Sequence, residues 1–416
     1  MDNKVTVPCF LPANILLPSY EAMSDAWPVV ACDQYVSQPE YWEEVNDLVG
    51  NKPSSLRVIL PEAYLSERSE RIPPMREAME NYLSNSVLTE QVKQGFVLVE
   101  RITEAGIRIG LVGMVDLESY GIEADSKLPI RATEGIVPSR VPPRVDVRRQ
   151  APLEIPHVML LIDDAKGRLI ESVYAQKKSL RQLYDVTLMK NGGTLRGYAV
   201  EGETAKSVCH ALMDMQNQTN GLFLAVGDGN HSLAAAKTYW EERKETLSAE
   251  EAMHHPARYA LAEIVNLHCP ALKFEPIHRV VFHMNAQKVL MAFEEYVTLR
   301  GMALLPGTDF YVVGKDLETG FSISGLNNHL IVEIVQDFLN YCEEKNPEIS
   351  VDYIHGEKDA LSLARKPECC GFLLKGIDKK DLFPAIEAGG VLPRKTFSMG
   401  EANEKRYYME CRKIVY

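Results

Sequence analysis

The most constraining stretch of the sequence is a short unit in which a helix, a strand, a glycine-rich loop and a second helix follow one another. Thr204–Met215 carries apolar residues at helical spacing, and Leu222–Val226 is a fully apolar strand. The loop Gly227-Asp-Gly-Asn-His-Ser232 follows, and the alanine-rich stretch Leu233–Lys244 predicts the second helix. This alternation of buried strands and helices predicts a mixed α/β fold.

The residue types in this loop suit a phosphate-bearing ligand. Gly227 and Gly229 let the backbone turn sharply and approach a ligand closely, and the start of the next helix offers N–H groups and a positive dipole end. His231 can donate to a phosphate oxygen. Asp228 repels a bare phosphate, so we expect it to hold a divalent cation or to accept a substrate proton. The alternative is structural: Asp228 and Asn230 cap the helix, and the glycines only turn the chain. The loop matches neither the Walker spacing nor the three-glycine dinucleotide fingerprint.

The rest of the chain predicts further helices and strands and a division into two parts. Residues 76–83 predict a helix, 158–162 a buried strand, and 96–102 with 107–115 a hairpin that turns at Glu104-Ala-Gly106. Beyond residue 285 helices and strands alternate, at 288–300, 310–313, 330–341, 351–354, 372–374 and 379–388. We therefore place a boundary near residue 285, which separates a domain of residues 1–285 from one of residues 286–416.

An arginine-rich stretch precedes the glycine loop. Residues 130–156 are rich in proline and arginine and show no hydrophobic period, so they predict a long connection without regular structure, and such connections are often functional. Its arginines are Arg131, Arg140, Arg144, Arg148 and Arg149. Guanidinium groups suit phosphate and carboxylate recognition, which predicts a small anionic or phosphorylated ligand. Glu134 is a candidate general base or metal ligand. The alternative is a solvated basic loop that pairs with surface acids.

Composition narrows the class of protein. The chain has 416 residues and a net charge of −13, which disfavours nonspecific nucleic-acid binding. The N-terminal residues do not resemble a secretion signal, and no apolar run is long enough to span a bilayer, so we expect no membrane association. The eight cysteines contain no C-x-x-C pair, which favours reduced thiols in the cytoplasm.

Two shorter motifs in the C-terminal half have both a functional and a structural interpretation. His278-Arg279 precedes the apolar residues of a strand, and alone it is typical of a pair at the edge of a core that backbone carbonyls satisfy. Lys395-Thr396 lies in a loop flanked by glycine and proline. It is either a plain surface loop or a segment that closes over a phosphate with a point charge and a hydroxyl.

Several of these motifs together resemble a large family of bacterial and archaeal proteins that carries a domain of unknown function. That family shows A-D-G-H-H-R followed by an alanine-bearing helix, which GDGNHS-LAAAKTYW resembles. Its I-H-R and P-x-K-S/T elements are similar to Ile277-His278-Arg279 and Pro393-Arg394-Lys395-Thr396, and its N-terminal segment is similar to WPVVACDQYVSQPEYW. The resemblance spans nearly the whole chain.

The resemblance implies a relation to the fold shared by ParB, sulfiredoxin and the free serine kinases. It implies a ParB/sulfiredoxin-like N-terminal core with a smaller C-terminal α/β part, and a loop whose Gly229, Asn230 and His231 bind a nucleotide phosphate. Two positions depart from the pattern: Asn230 stands for the first histidine and Ser232 for the arginine, while the catalytic cysteine of sulfiredoxin is absent. Serine cannot make the bidentate phosphate contact of arginine. Either another arginine replaces it, or the ligand differs.

From these features we expect a nucleotide-dependent phosphotransferase, a small-molecule kinase that acts on a hydroxylated metabolite such as an amino acid, with ATP or ADP and Mg²⁺. The loop and the arginines would hold the phosphates, Asp228 the metal, and Glu134 or Asp228 would take the hydroxyl proton. The alternative is a nucleotide- or metabolite-binding regulatory protein without turnover. A DNA-partitioning role is disfavoured by the acidic balance.

Overall fold

Helices and strands alternate along the chain in the computed structural model, which describes residues 8–219, 221–326 and 329–416. The helices are α1 (Pro39–Val49), α2 (Arg68–Ser84), α3 (Pro142–Gln150), α4 (Ile170–Tyr174), α5 (Gly202–Gln218), α6 (Asn230–Lys244), α7 (Ala249–His254), α8 (Ala286–Thr298), α9 (Ile331–Lys345), α10 (Glu357–Ala364) and α11 (Lys379–Gly389). The strands are β1 (Phe10–Leu11), β2 (Ala13–Pro18), β3 (Leu88–Thr103), β4 (Gly106–Asp116), β5 (Tyr120–Gly121), β6 (Ile130–Ala132), β7 (Leu153–Glu154), β8 (Met159–Ile162), β9 (Arg181–Leu188), β10 (Gly193–Val200), β11 (Leu224–Asp228), β12 (Tyr259–Asn266), β13 (Phe274–Phe282), β14 (Ala303–Val313), β15 (Glu318–Ser324), β16 (Ser350–His355), β17 (Cys369–Leu374), β18 (Phe397–Met399) and β19 (Arg412–Lys413). The mixed α/β fold predicted from the sequence is confirmed.

The elements with clear sequence periods form where the sequence predicts them. The hairpin of β3 and β4 turns between Thr103 and Gly106, with Ile102 opposite Ile107. The unit around the glycine loop is α5, β11 and α6, and each element lies within a few residues of its predicted limits. Among the described residues, no helix is both long and apolar enough to cross a membrane.

The arginine-rich stretch is not the structureless connection that its composition predicts. It contains β6, a 3₁₀ turn at Pro138–Arg140, helix α3 and strand β7. Two of the prolines that hide the helical period, Pro142 and Pro143, are the first two residues of α3, where a missing N–H costs no hydrogen bond. Val145 is the buried residue of this helix, so the stretch has no apolar stripe for a sequence pattern to detect.

The chain divides into two compact units. Unit 1 comprises the described residues up to Leu272 together with Gly400–Tyr416, and unit 2 is Lys273–Met399. The division differs from the predicted boundary near residue 285 because β13 pairs with β16, β17 and β18, all of which belong to unit 2. It also differs because the last residues of the chain rejoin unit 1, where β19 pairs with β7.

The sheet of unit 1 determines where the glycine loop lies. Its strands run in the order β5-β6-β11-β8-β12-β4-β3-β10-β9, with β1 beside β4 and β2 beside β3. Strands β6 and β11 are parallel, and β8 is antiparallel to β11. The residues after β6, the residues after β11 and the residues before β8 therefore meet at one edge of the sheet. Thr133, Gly229 and His157 occupy these three positions.

Small residues let α6 lie close to its neighbours. Its buried residues include Leu233 and the run 234–236 of three alanines, and the helix packs against α3. At its far end Trp240 is buried and donates from Nε1 to Glu118 at 2.6 Å. Both ends of α6 are thus held in unit 1.

Unit 2 is built on a sheet of its own, with the strand order β15-β14-β17-β13-β16 and β18 beside β13. Helices α8 and α9 contribute to its core. Phe293, Phe310, Phe338 and Phe372 form an aromatic cluster there, with ring centroids from 5.0 to 6.4 Å apart. Edge-to-face and stacked contacts of this kind add to the free energy gained from burial.

Candidate functional site

The glycine loop connects the end of β11 to the start of α6. Gly229 adopts the left-handed conformation at φ 79° and ψ 27° and is the residue that precedes the helix. A Cβ atom at this position would lie 3.1 Å from Val158 Cα, so glycine meets both a conformational and a steric requirement. Gly229 itself has no side chain to cap the first turn of α6. A helix start that follows a glycine and comes near a ligand is suited to an anion.

Two side chains of the loop tie it to the residues that follow β6. Asn230 accepts the N–H of Thr133 at 3.1 Å through Oδ1, and its Nδ2 lies 3.2 Å from Thr133 Oγ1. His231 accepts the N–H of Val137 at 3.1 Å through Nε2. Asn230 therefore ties the loop to the backbone that follows β6. It does not cap α6, so this part of the structural interpretation is wrong.

Asp228 ends β11 and bonds in two directions. Its Oδ1 accepts the N–H of Gly229 at 3.0 Å, and its Oδ2 lies 3.4 Å from Nζ of Lys405. Both side chains are largely buried, with 19% and 11% of their areas exposed. Lys405 belongs to the C-terminal residues that rejoin unit 1, so a cation from the end of the chain stands beside the loop.

A second group of polar residues includes His157, which lies next to Gly229. Nε2 of His157 is 3.3 Å from Ser232 Oγ and 3.6 Å from a carboxylate oxygen of Asp33. Nδ1 of His157 is 2.7 Å from the hydroxyl of Tyr408, which also accepts the N–H of Cys32 at 3.1 Å. We call Asp33, His157, Asp228, Ser232 and Lys405 the glycine-loop cluster.

The charges of this cluster depend on one another. Burial alone would lower the pKa of His157, but the Asp33 carboxylate outweighs burial and raises this pKa well above its usual value. Burial alone would raise the pKa of Asp33, but His157, with a contribution from Lys405, holds it well below its usual range. Burial also raises the pKa of Tyr408 far above that of a free phenol. At neutral pH the cluster therefore contains an imidazolium and an ionised Asp33, and the neighbouring Tyr408 is neutral.

A cavity of about 150 Å³ adjoins the cluster within unit 1. His157, Ser232, Tyr408 and Arg144 form polar parts of its lining, and the apolar part includes Leu60 and Val147. A cavity of this volume holds a benzene-sized group. The cluster therefore combines charged groups with room for a small molecule.

The cluster is a poor fit for a resident metal ion. The described residues contain no group of three or more His, Cys, Asp and Glu side chains that could hold one. Both carboxylate oxygens of Asp228, the predicted metal ligand, already face donors, namely the N–H of Gly229 and Lys405. Mg²⁺ that arrives with nucleotide phosphates needs only one or two protein carboxylates, so the role of Asp228 stays a prediction.

The predicted phosphate-binding arginines of α3 and the preceding turn bind carboxylates in the structure. Arg140 and Arg144 both pair with Glu62, Arg140 at 3.0 Å. Arg148 pairs with Glu154 at 2.6 Å. The side chains of Arg144 and Arg148 are only 12% and 13% exposed, so these are not the solvated pairs of a surface loop. Their ligand-binding role stays a prediction, and each already has a protein partner.

Two further predicted residues, Arg131 and Glu134, lie in β6 and two residues after its end. Arg131 donates from Nε to the carbonyl of Leu128 at 3.1 Å and lies beside Gly221, so its guanidinium is directed toward the residues before β6 and β11 and not toward the loop after β11. Glu134 directly follows Thr133 and is half-buried. It remains a candidate base.

The remaining predicted residues all lie in unit 2. His278 is buried, and its Nδ1 accepts the N–H of Leu374 at 3.1 Å. Arg279 is fully buried, donates to Gln336 and to the carbonyl of Arg394, each at 3.3 Å, and also donates to the carbonyl of Ile277. Thr396 donates to Pro393 at 2.6 Å, and Lys395 next to it is exposed at a positive φ of 58°. The structure thus joins the I-H-R motif to the P-R-K-T loop through Arg279.

Four residues of the site were missed by the sequence analysis. Asp33 lies in the segment that resembles the family, and His157 directly precedes a buried strand, so a local sequence feature could have indicated both residues. No local feature indicates Lys405 or Tyr408, because only the return of the C-terminal residues to unit 1 brings them to the loop.

The sequence profile of proteins of unknown function termed DUF1015 matches residues 16–386. The chain belongs to this family. The family resemblance seen in the motifs is thereby confirmed, whereas the relation to ParB and sulfiredoxin stays a prediction. No curated protein shows significant similarity to the chain.

Solved structures show distant similarity. A free serine kinase in complex with AMP has 13% identity and a TM-score of 0.38, over 72% of this chain and 91% of that chain. A conserved hypothetical protein from Pyrococcus furiosus has 13% identity and a TM-score of 0.36, over 72% and 94%. SbnI with a C-terminal truncation, from Staphylococcus aureus, has 9% identity and a TM-score of 0.37, over 70% and 82%. Similarity at this level carries no conclusion about the chemistry of the site.

Proposed function

We propose that unit 1 binds a phosphate-bearing nucleotide at the start of α6, and that the protein is a nucleotide-dependent phosphotransferase acting on a small hydroxylated metabolite such as an amino acid. The observation that carries the proposal is the glycine-loop cluster. The start of α6, a lysine and an imidazolium lie beside two carboxylates and a small cavity. Phosphoryl transfer requires this combination of positive groups for the phosphates and a carboxylate for the attacking hydroxyl.

The geometry supports a division of roles in this reaction. The backbone of Gly229 and the first turn of α6 would face the phosphates, with Lys405 as a point charge. Asp33 is ionised because His157 stabilises its charge, so it would accept a hydrogen bond from the substrate hydroxyl and orient it for attack. Asp228 and Glu134 are the other candidate bases. Mg²⁺ would enter as the complex of ATP or ADP. The cavity beside Ser232 would receive part of the metabolite.

A second candidate function is a nucleotide- or metabolite-binding regulatory protein without turnover. It is favoured by Ser232 at the position where the related superfamily has an arginine. The arginines expected to replace it, Arg140, Arg144 and Arg148, are paired with Glu62 and Glu154. We also propose that the protein is related to the ParB/sulfiredoxin fold and that it is located in the cytoplasm. The eight free cysteines support the location, since they would stay reduced there.

Calorimetry and a product assay separate the two functions. The full chain is titrated with ATP and with ADP in the presence of Mg²⁺, and then incubated with a pool of amino acids and polyols while phosphorylated products are measured. We expect binding and one phosphorylated product. Binding without a product would overturn the kinase and leave the regulatory function. The absence of any nucleotide binding would overturn both.

Matched lysine variants test the position of the site. Lys405→Met removes the charge beside Asp228 and should weaken nucleotide binding at least about tenfold, because a charge-assisted contact in a partly buried site contributes on the order of 1.5–3 kcal/mol. Lys413→Met changes an exposed lysine of the same C-terminal segment and should leave the affinity unchanged. Equal affinities for the two variants would show that the phosphate is bound elsewhere.

A further inference from the structure

The cavity beside the glycine-loop cluster extends along two helices of unit 1. Ser232 and Ala236 line it from α6, where they lie about one turn apart on the same face of the helix. Arg144 and Arg148 line it from α3 with the same spacing, and α3 packs against α6. One turn of helix rises about 5.4 Å. The cavity therefore reaches from the glycine loop into the interior of unit 1.

Apolar side chains make up most of the wall of this cavity. They come from α2, α3, α6, β12 and the segment before α2, and they include Leu60, Met79, Val147, Ala236 and Leu261. A hydroxyl or charged group placed against such a wall loses its hydrogen bonds to water and gains none in exchange. The part of a ligand that fills the cavity is therefore apolar.

The polar groups of the wall nearest the glycine loop bond to one another. Nδ1 of His157 lies 2.7 Å from the hydroxyl of Tyr408, and Nε2 of His157 lies 3.3 Å from Ser232 Oγ. These groups form the polar end of the cavity, where the hydroxyl of a ligand could join the same hydrogen bonds. The cavity is thus amphipathic along its length.

The charged groups of the wall are two ion pairs. Arg144 pairs with Glu62, and Arg148 pairs with Glu154 at 2.6 Å. Each of these carboxylates faces a guanidinium, so the pairs balance their own charges and do not require a charged ligand. Nε of Arg148 is buried and has no acceptor within the part of the chain that the structure describes. The face of an aromatic ring is a weak acceptor for such an N–H group, and guanidinium planes stack on aromatic rings.

Volume and wall together indicate the chemical class of the ligand. About 150 Å³ is the volume of an apolar protein cavity that binds benzene. We propose that this cavity binds an aromatic ring, and that the hydroxylated substrate is therefore an aromatic alcohol and not a polyol. The substrate class rests on the proposed function, whereas binding of the ring requires neither a nucleotide nor a reaction.

Ala236 is the residue that leaves room for the ring. Its side chain is small and buried, and it lines the cavity one turn beyond Ser232. Ala236→Leu adds a branched side chain that would occupy the space of the ring. Because the added atoms enter an existing cavity, the variant should keep its fold.

Ligand-observed NMR on the full chain tests the binding of the ring. Benzyl alcohol should bind at least about tenfold more tightly than glycerol, because a hydrophobic pocket discriminates by about this factor for a single methylene. Ala236→Leu should weaken the binding of benzyl alcohol by a similar factor. Ala249→Leu, which makes the same change at an exposed position of α7, should leave it unchanged. Equal affinities for benzyl alcohol and glycerol in the wild-type protein would overturn the proposal.

Crystals of the wild-type protein under xenon pressure give a measurement that does not depend on how the variants fold. Xenon is apolar and enters dry apolar cavities of this size. We expect a xenon peak in contact with Val147 and Ala236. A cavity that contains only ordered water under xenon pressure would overturn the proposal.

A product assay separates this inference from the proposed function. With ATP or ADP and Mg²⁺, the wild-type chain should phosphorylate benzyl alcohol in preference to glycerol. Preferential phosphorylation of glycerol would overturn the aromatic substrate and leave the phosphotransferase in place. Binding of benzyl alcohol by a chain that binds no nucleotide would overturn the proposed function and the substrate class, and the ring-binding cavity would stand.

Discussion

Nε2 of His157 lies 3.6 Å from a carboxylate oxygen of Asp33, and each residue shifts the pKa of the other toward its charged form. The pair joins two segments of the chain that are far apart in sequence and places both at the glycine loop. The His157–Asp33 contact keeps Asp33 ionised and also contributes to the stability of unit 1. The charge state of the site and the stability of unit 1 are therefore linked.

The stability contributed by this pair should depend on pH. The pKa of His157 is raised, so its contribution is complete below about pH 6.5 and is lost as the pH rises through the folded-state pKa. The pKa of Asp33 is lowered, so its contribution is complete above about pH 3.9 and is lost as the pH falls. In urea denaturation, the stability difference between the wild type and His157→Gln should therefore be largest between these values. It should decrease at higher pH by at most about 1.4 kcal/mol per pH unit.

His210→Gln is the matched control for this experiment, because His210 is exposed on α5. Its stability should follow that of the wild type across the same pH range. A difference between wild type and His157→Gln that stays constant from about pH 5 to about pH 9 would contradict the charged pair, since the linkage requires a change in that interval.

Gly229→Ala should destabilise the protein more than Gly202→Ala. Both glycines have a positive φ, 79° and 58°, but a Cβ on Gly202 would meet no atom within 4 Å, whereas one on Gly229 would lie 3.1 Å from Val158 Cα. The backbone term should cost about 1–2 kcal/mol in each variant, and the contact should add to it only at Gly229. Free energies of unfolding measure the difference. Only Gly229→Ala should also weaken nucleotide binding. Equal losses of stability in the two variants would show that the backbone at Val158 moves to accommodate the added methyl group.

Asn230→Ala should loosen the connection between the glycine loop and β6. The N–H of Thr133 would lose its acceptor in a buried position, at a cost of about 1–3 kcal/mol. Hydrogen exchange should show faster exchange of the Thr133 amide, and urea denaturation should show the loss of stability. Asn51→Ala, at an exposed turn position, should change stability by no more than about 0.5 kcal/mol. An unchanged Thr133 amide would show that this bond does not hold the loop.

Glu62→Ala should be strongly destabilising although it removes a residue far from the glycine loop in sequence. Glu62 is 6% exposed at its side chain and accepts from Arg140 and Arg144, so its loss leaves the largely buried Arg144 unpaired, at a cost of about 3–5 kcal/mol. Glu242→Ala breaks the pair with Arg149, in which both side chains are nearly half exposed, and should cost no more than about 1 kcal/mol. Equal losses of stability for Glu62→Ala and Glu242→Ala in urea denaturation would show that the arginine pairs with Glu62 are solvated. These arginines would then be available to bind a ligand.

Local patterns in the sequence predicted the elements of the fold well. The hairpin of β3 and β4, the α5–β11–α6 unit and the alternation in unit 2 all depend on hydrophobic periods and turn residues within a few positions of one another. Helix α3 was missed because its prolines occupy the first turn and Val145 is its buried residue. The ion pairs that α3 makes with Glu62 and Glu154 leave no period in its sequence, because both partners lie outside the helix.

The sequence by itself determined most of the elements and their order. It also determined the glycine loop as the candidate site, because a strand that ends in glycine before a helix is a local feature. Only the tertiary structure decided which charges face that loop. Asp33, His157 and Lys405 lie in separate segments, and the sheet order and the return of residues 400–416 bring them together. Charge interactions act through space and not along the chain. Arg140, Arg144 and Arg148, which the sequence predicts at the ligand, therefore pair with carboxylates, whereas Lys405 faces Asp228.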